Sequence, residues 1–251
     1  MRLRLMCARV VALAMATAAT TAFAAGPSAG TCTGTASSPG AVDTGTYNGF
    51  TVTGTCFFVP GADITINGNL TIAQGASLNA HDLTAANVQV NGNVNVNKGG
   101  TVGLGDYYYG SPPYPGPTVV VNGNVVANQP QSLYLSFITV HGSILSNGGS
   151  GPGLNFPIKN VTVDGNVDLQ GWSGGWIGLF RSTIGGNVNF SNNTGAGESG
   201  PDSSEVANNT VGGNLICHGN DPLAQFGDSG GGPNVVSGQA LGECATLTEA
   251  P

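Results

Sequence analysis

A nine-residue segment that alternates apolar and polar residues recurs seven times between residues 64 and 217. In the first copy, ITINGNLTI at 64–72, an apolar side chain occupies every second position on both sides of a central glycine. The other copies lie at 88–96, 119–127, 138–146, 161–169, 182–190 and 209–217. Their central glycines follow one another at intervals of 19 to 31 residues. Self-similarity at such intervals predicts stacked structural repeats.

The Asn-Gly dipeptide in several copies is also a signal for a tight β-hairpin. A two-residue turn at Asn67-Gly68 would place Ile66 opposite Asn69, and facing residues share one side of a sheet. Each such pair would mix an apolar with a polar side chain. A strand that continues forward instead keeps the apolar residues of 64–72 on one face and the polar residues on the other. The pattern therefore favours a chain that does not reverse at the glycine.

The segments between the copies are too rich in glycine to form the helices that usually connect parallel strands. The sequence therefore predicts an all-β, single-domain parallel β-helix, or solenoid, with coils of about 20–25 residues. An asparagine follows the motif glycine in six copies, and Ser143 replaces it in the other. We expect these side-chain amides to hydrogen-bond along the stack as a ladder.

Residues 1–24 are predicted to be an export signal, with a positive start, an apolar stretch and an Ala-Phe-Ala cleavage site. We divide the rest into an N-terminal segment at 25–44, the solenoid at 45–217, and a C-terminal cap and tail at 218–251. No later segment is apolar over the length of a membrane span. The mature protein is therefore expected to be secreted, in the extracellular space or at the cell surface.

Four cysteines remain after the predicted cleavage, namely Cys32, Cys56, Cys217 and Cys244. An even number in an oxidising compartment favours disulfide bonds. Three connectivities are possible, and we favour Cys32–Cys56 with Cys217–Cys244 because each closes a local loop of about 25 residues. The sequence has no C-x-x-C pair with a nearby His cluster and no cofactor motif. We therefore expect neither a metal nor a cofactor.

The charge of the chain narrows the set of partners. Only 8% of the residues are charged, and six Lys and Arg stand against 13 Asp and Glu. Three of the six basic residues lie in the predicted export signal. Because a protein that neutralises several phosphates needs a basic patch, we expect no nucleic acid and no anionic membrane as partner.

One cluster is a candidate for acid–base chemistry. His141 and Asp164 both stand just before the motif glycine in successive copies, so stacking would place them about 5 Å apart. Asp168 lies a short step along what we expect to be the same outward face. These three residues support the alternative to a non-catalytic solenoid, a polysaccharide lyase or glycoside hydrolase acting on the side face. Outward turn positions favour Asn, Asp and His for turn chemistry as well.

Aromatic residues form a second candidate site, for binding. They are Tyr107, Tyr108, Tyr109 and Tyr114 in a Pro-rich loop, with Trp172 and Trp176 farther on. Such rings provide stacking platforms for sugars or a docking surface for another protein. In the alternative interpretation, the tyrosine loop packs on itself and the tryptophans cap one coil.

The sequence resembles a group of secreted bacterial β-helix proteins with no assigned activity. Those proteins carry tandem V-x-G-N-V-x-V units, an early Cys and a closing G-G-N-L-x-C segment followed by a further Cys. The matching stretches are Cys56, the seven units, Gly212–Cys217 and Val236–Cys244. The rhythm is also similar to that of bactofilin-like polymer-forming scaffolds. The resemblance implies a right-handed solenoid and transfers no catalytic residue.

Together these features predict a structural or binding solenoid without catalysis. The expected partners are a polysaccharide, another surface protein or, through the end coils, further copies of the chain.

Overall fold

The computed structural model describes residues 27–80, 86–106, 118–195, 203–227 and 230–248. The predicted export signal at 1–24 and all four tyrosines of the proposed binding loop lie outside these residues. Within them the chain consists of β-strands joined by turns, with a 3-10 helix at Glu243–Thr246. None of the described segments forms a helix of the length and apolarity needed to cross a membrane.

The strands are short, and only two exceed five residues. In chain order they are β1 Gly30–Cys32, β2 Gly40–Val42, β3 Gly45–Tyr47, β4 Phe50–Val52, β5 Thr55–Phe58, β6 Asp63–Ile66, β7 Leu70–Ile72, β8 Ser77–Ala80, β9 Asn87–Val90, β10 Val94–Val96, β11 Thr101–Gly105, β12 Val119–Val121, β13 Val125–Asn128, β14 Ser132–Ser136, β15 Ile138–Val140, β16 Ile144–Lys159, β17 Thr162–Val163, β18 Val167–Phe180, β19 Thr183–Ile184, β20 Val188–Ser191, β21 Thr194–Gly195, β22 Ser204–Ala207, β23 Thr210–Val211, β24 Leu215–His218, β25 Val235–Val236 and β26 Ala240–Gly242.

These strands stack in parallel on three faces of a solenoid, which confirms the predicted fold class. Face 1 holds the strands before the motif glycine, namely β3, β6, β9, β12, β15, β17, β19, β23 and β25. Face 2 holds the strands that follow the glycine, namely β1, β4, β7, β10, β13, the first parts of β16 and β18, β20, β24 and β26. Face 3 holds β2, β5, β8, β11, β14, the last parts of β16 and β18, and β22.

The core follows the alternation in the sequence. In the first copy, Ile64, Ile66, Leu70 and Ile72 are all buried, whereas Asn67 is exposed. Burying an aliphatic side chain of this size contributes about 1.5–3 kcal/mol, so the inward rows supply most of the drive to stack. The parallel pairing of successive copies excludes the hairpin alternative.

The motif glycine is required by close approach of neighbouring coils. A Cβ atom on Gly92 would lie 2.5 Å from Oδ1 of Asn69 and 2.7 Å from the backbone of Gly68. The backbone N–H of Gly92 donates to the carbonyl of Gly68 at 3.0 Å. Any side chain here would push two coils apart.

The asparagine after that glycine forms a ladder, though with a different geometry from the predicted one. Oδ1 of Asn69 accepts a hydrogen bond from the backbone N–H of Asn93 at 2.8 Å, and later coils repeat this contact. Oγ of Ser143 accepts in the same way from the backbone N–H of Asn166 at 3.0 Å. The ladder thus runs mainly from side chain to backbone, which is why serine is able to replace asparagine.

The stack extends beyond residues 45–217 at both ends. Strands β1 and β2 lie within 25–44 and pair with β4 and β5. Strands β25 and β26 lie within 218–251 and pair with β23 and β24. Each added strand has only two or three residues, too few for an alternation to be recognised in the sequence.

Two disulfide bonds join Cys32 to Cys56 and Cys217 to Cys244, which is the pairing that the sequence favours. The first bond links β1 to β5 near one end of the stack, and the second links β24 to the 3-10 helix near the other. All four cysteines are buried. Because each bond restricts the unfolded chain, it is expected to stabilise the folded state by about 3 kcal/mol. Both are compatible with an extracellular location.

Candidate functional site

The first candidate is the pair formed by His141 and Asp164. Nδ1 of His141 lies 2.7 Å from Oδ2 of Asp164. The two residues directly follow β15 and β17, which are adjacent on face 1, and this is the proximity that the repeat predicts. Their side chains are 49% and 57% exposed, so solvent and ligands reach both.

This pair continues a row of amides along the edge of face 1. Nδ2 of Asn91 donates to Oδ1 of Asn67 at 3.1 Å, and Nδ2 of Asn122 donates to Oδ1 of Asn91 at 2.7 Å. His141 and Asp164 occupy the next two positions of the same row. These contacts therefore form a structural ladder, and the polar groups on its outer side remain exposed.

Asp168 does not join this pair, contrary to the expectation from sequence. The chain turns a corner at Gly165, so Asp164 borders face 1 whereas Asp168 lies on face 2. Oδ1 of Asp168 accepts hydrogen bonds from Gln170 at 2.7 Å and from Asn189 at 3.1 Å. These bonds orient the carboxylate along face 2.

A chain of polar contacts on face 2 was not recognised from the sequence. Beyond Asp168 and Asn189 it continues to Ser191, whose Oγ donates to Oδ1 of Asn189 at 2.6 Å. The same Oγ lies 3.0 Å from Nδ1 of His218. Because Ser191 is fully buried, its hydroxyl is not accessible as a nucleophile. A signal was available, since Gln170, Ser191 and His218 each stand five positions after a motif glycine.

Face 3 carries two buried charged residues, Lys159 and Glu205. The pKa of Lys159 is lowered to about 8, mainly by burial and in part by the Arg181 guanidinium, while Asp106 acts in the opposite direction. The Lys159 ammonium lies 5.4 Å from the centre of the Tyr134 ring. The Lys159 side chain therefore interacts within the protein and does not offer a positive charge at its surface.

The two tryptophans differ in exposure. Trp172 is 2% exposed, and its ring packs on Phe156 with ring centres 4.1 Å apart. It is a core residue, which excludes it as a surface platform for sugars. Trp176 is partly exposed and meets the ring of Phe180 edge-on at 5.5 Å.

No metal centre is evident in the part of the chain that the structure describes. No group of three or more His, Cys, Asp or Glu side chains there is arranged to hold an ion. A small cavity inside the stack is lined only by apolar and aromatic side chains, including Leu133, Ile158 and Trp172. This cavity therefore offers a ligand no polar side chain.

No protein-family model, curated protein or solved structure matches the chain. Its function is therefore inferred from its own residues and their geometry.

Proposed function

We propose that the protein is a secreted, rigid β-solenoid with a structural or binding role outside the cell and no catalytic activity. The observation that carries this proposal is the hydrogen bonding at all three corners of the later coils, where side chains of one coil bond the backbone of a neighbouring coil. Such contacts fix each coil on its neighbour and leave the outer faces as regular surfaces.

The corner between faces 2 and 3 carries buried asparagines. Oδ1 of Asn193 accepts from the backbone N–H of Trp172 at 3.0 Å, and Oδ1 of Asn220 accepts from the backbone N–H of Asn193 at 3.1 Å. The amide of Asn220 also donates to the carbonyl of Phe190 at 2.9 Å. A buried amide with its groups satisfied favours one arrangement of the coils over all others.

The corner between faces 3 and 1 is built in the same way. Oδ1 of Asn209 accepts from the backbone N–H of Ser182 at 3.1 Å. Oδ1 of Asn234 accepts from both the backbone and the amide of Asn209, at 3.0 and 2.9 Å. The Asn234 amide donates to the carbonyls of Val206 and Leu247 at 2.9 and 2.8 Å. All four hydrogen-bonding positions of this side chain are occupied.

Glu243 ends the row of buried asparagines at the C-terminal coil. Its carboxylate accepts from the backbone N–H and the amide of Asn220, at 3.0 and 2.7 Å, and from the backbone N–H of Ala224 at 3.0 Å. Burial by itself would raise the pKa of this carboxyl, but the hydrogen bonds from Ala224 and Asn220 outweigh it, and His218 adds to their effect. The pKa of Glu243 therefore lies below its ordinary value.

Export is supported by the sequence and by the disulfides. The first 24 residues have the three regions of an export signal. Two disulfides in a chain of this size are typical of oxidising compartments. The resemblance to secreted β-helix proteins of unassigned activity points the same way.

The second candidate is a polysaccharide lyase or glycoside hydrolase. The exposed His141–Asp164 pair favours it, because a hydrogen-bonded imidazole and carboxylate are suited to general acid–base catalysis. A glycosidase also needs a second carboxylate across the scissile bond. Asp168, the residue proposed for that role, is held by Gln170 and Asn189 on a different face.

The test is to incubate the exported, disulfide-bonded protein with a panel of plant and microbial polysaccharides. We expect no release of reducing ends or of unsaturated products. Product release that disappears in the His141→Ala and Asp164→Asn variants, and persists in an Asn95→Ala control on face 2, would overturn the non-catalytic proposal.

A further inference from the structure

Face 1 is a regular surface of the described chain, because its strands pair without any shift of register. One outward position recurs on every strand. The residues in this row are Thr46, Thr65, Gln89, Val120, Thr139, Thr162, Thr183, Thr210 and Val235. The row is uncharged, and its members repeat about every 4.8 Å along the axis.

A second row borders face 1 where the chain enters it from face 3. Its members Phe137, Asn160, Arg181 and Asn208 all have positive φ, between 51° and 56°. Asparagine adopts this left-handed conformation readily, but for a bulky residue such as Phe it is unusual and costs free energy. The backbone conformation therefore accounts for the choice of asparagine at Asn160 and Asn208. It does not account for the bulkier side chains of Phe137 and Arg181.

The middle coils bring three kinds of group together on this face. Phe137 is 46% exposed. Thr139 lies in β15, and Phe137 and His141 flank this strand at its two ends. On the next coil Thr162 and Asp164 lie beside Thr139 and His141. An exposed ring, two hydroxyls and an acid–imidazole pair thus share one surface.

We propose that face 1 binds an uncharged polysaccharide whose chain lies along the solenoid axis. The ring of Phe137 stacks on one sugar, and the threonine hydroxyls, the amides of the Asn67 row and the His141–Asp164 pair hydrogen-bond the sugar hydroxyls. The coil rise of about 4.8 Å is comparable to the length of one pyranose ring, so successive coils present similar groups to successive sugars. This inference rests on the binding role proposed above.

The charge of the protein selects an uncharged polymer. Beyond the predicted export signal the basic residues are Lys98, Lys159 and Arg181, and Lys159 is buried. An anionic polysaccharide would meet an acidic protein with little positive charge to offset the repulsion. On face 1, Asp63 in β6 accepts a hydrogen bond from Asn87, and Asp164 beside β17 is hydrogen-bonded to His141, so both carboxylates already have partners within the protein.

Affinity electrophoresis through gels containing a dissolved polysaccharide tests this inference. The uncharged probes are hydroxyethyl cellulose, laminarin and galactomannan, and the charged comparisons are alginate and chitosan. We expect at least one uncharged probe to retard the protein, equally at low and high salt. Retardation by alginate or chitosan alone, or by no probe, would overturn the proposal.

The decisive variant is Phe137→Asn, because asparagine tolerates the positive φ and the fold should survive while the ring is lost. We expect binding to weaken about five- to tenfold, the amount that one aromatic contact supplies. Asp164→Asn should also weaken binding, although the side chain keeps its shape. The matched control is Leu145→Ala on face 2, which removes a side chain of similar exposure, 39%. Thermal unfolding of each variant shows that its fold is intact.

Two outcomes separate this inference from the proposed function. If Leu145→Ala weakens binding and Phe137→Asn does not, the binding face is wrong although a binding role stands. If the protein binds a probe on face 1 and also releases products from it, the non-catalytic proposal fails while the binding face is retained.

Discussion

Two of the asparagine rows in this protein differ in burial. In the exposed row, Asn67, Asn91 and Asn122 bond one another side by side at the edge of face 1. In the buried rows, Asn220 and Asn234 bond the backbones of neighbouring coils and expose almost nothing. The same residue type therefore holds the coils together at one place and leaves polar groups exposed to solvent at another. Burial alone does not decide the role, because the exposed Asn69 also accepts from the backbone of the next coil, at Asn93.

The largest effect is expected from removing a buried amide. Asn234→Ala would leave the backbone N–H of Asn209 and the carbonyl of Val206 without their partner, whereas the carbonyl of Leu247 keeps the bond from the backbone N–H of residue 234. At about 1–3 kcal/mol for each unsatisfied buried group, we expect a loss of about 3 kcal/mol or more in the free energy of unfolding.

Denaturant unfolding measures this loss, and Asn91→Ala in the exposed row is the matched control. The exposed variant should change the free energy of unfolding by about 0.5 kcal/mol or less. Equal losses in the two variants would erase the distinction between the rows.

The disulfide at the C-terminal end should come next. Replacing both Cys217 and Cys244 by alanine removes a constraint across 27 residues. We expect a loss of about 3 kcal/mol or somewhat less, because the ladder contacts remain. Hydrogen exchange should show the loss in the coils around β24 and β26, and unchanged protection of those amides would contradict a capping role for this bond.

A smaller, pH-dependent effect is expected at Glu243. Because its folded pKa is lowered, the carboxylate stabilises the folded state fully above the unfolded value of about 4.3 and loses this contribution as the pH falls through the folded pKa. The protection of the Asn220 and Ala224 backbone amides, measured relative to their intrinsic exchange rate at each pH, should therefore fall in acid. In Glu243→Gln this fall should be weaker, and an identical pH profile would show that another group is responsible.

The smallest effect is expected at the corner row beside face 1. Phe137→Asn replaces a bulky residue at a positive φ by one that adopts this conformation more readily. The protein should therefore gain about 0.5–1 kcal/mol in the free energy of unfolding. Asn160→Phe, the reverse change one coil away, should lose a similar amount. Thermal unfolding compares the two, and a loss in Phe137→Asn would mean that the ring packs on the fold.

The sequence predicts the stack because its inward rows have a fixed relation to the motif glycine. The alternation in 64–72 survives in the structure position by position, and the same register places His141 beside Asp164. These features depend only on counting residues from a recognisable point, which periodicity makes possible.

Neither the assignment of residues to faces nor the rows of buried asparagines was predicted from the sequence. Asp168 was assigned to the wrong face because the corner at Gly165 does not interrupt the alternation, even though it changes the direction of the chain. Asn209 lies four residues before the motif glycine Gly213, and Asn234 lies four residues before Gly238, the corresponding glycine of the next coil. The offset is constant, but Gly238 lies outside the seven copies that the alternation reveals. The row becomes visible only when the backbone brings them into register.

The hydrogen bonds of the exposed glycine corner all point one way, because the side chain of each coil accepts from the backbone of the coil that follows it. At the other two corners the direction is reversed, because the side chains of Asn193, Asn209, Asn220 and Asn234 accept from the backbone of the coil that precedes each of them. Neighbouring coils toward the C-terminal end are therefore bonded in both directions, and neither coil of such a pair completes its corner hydrogen bonds without the other.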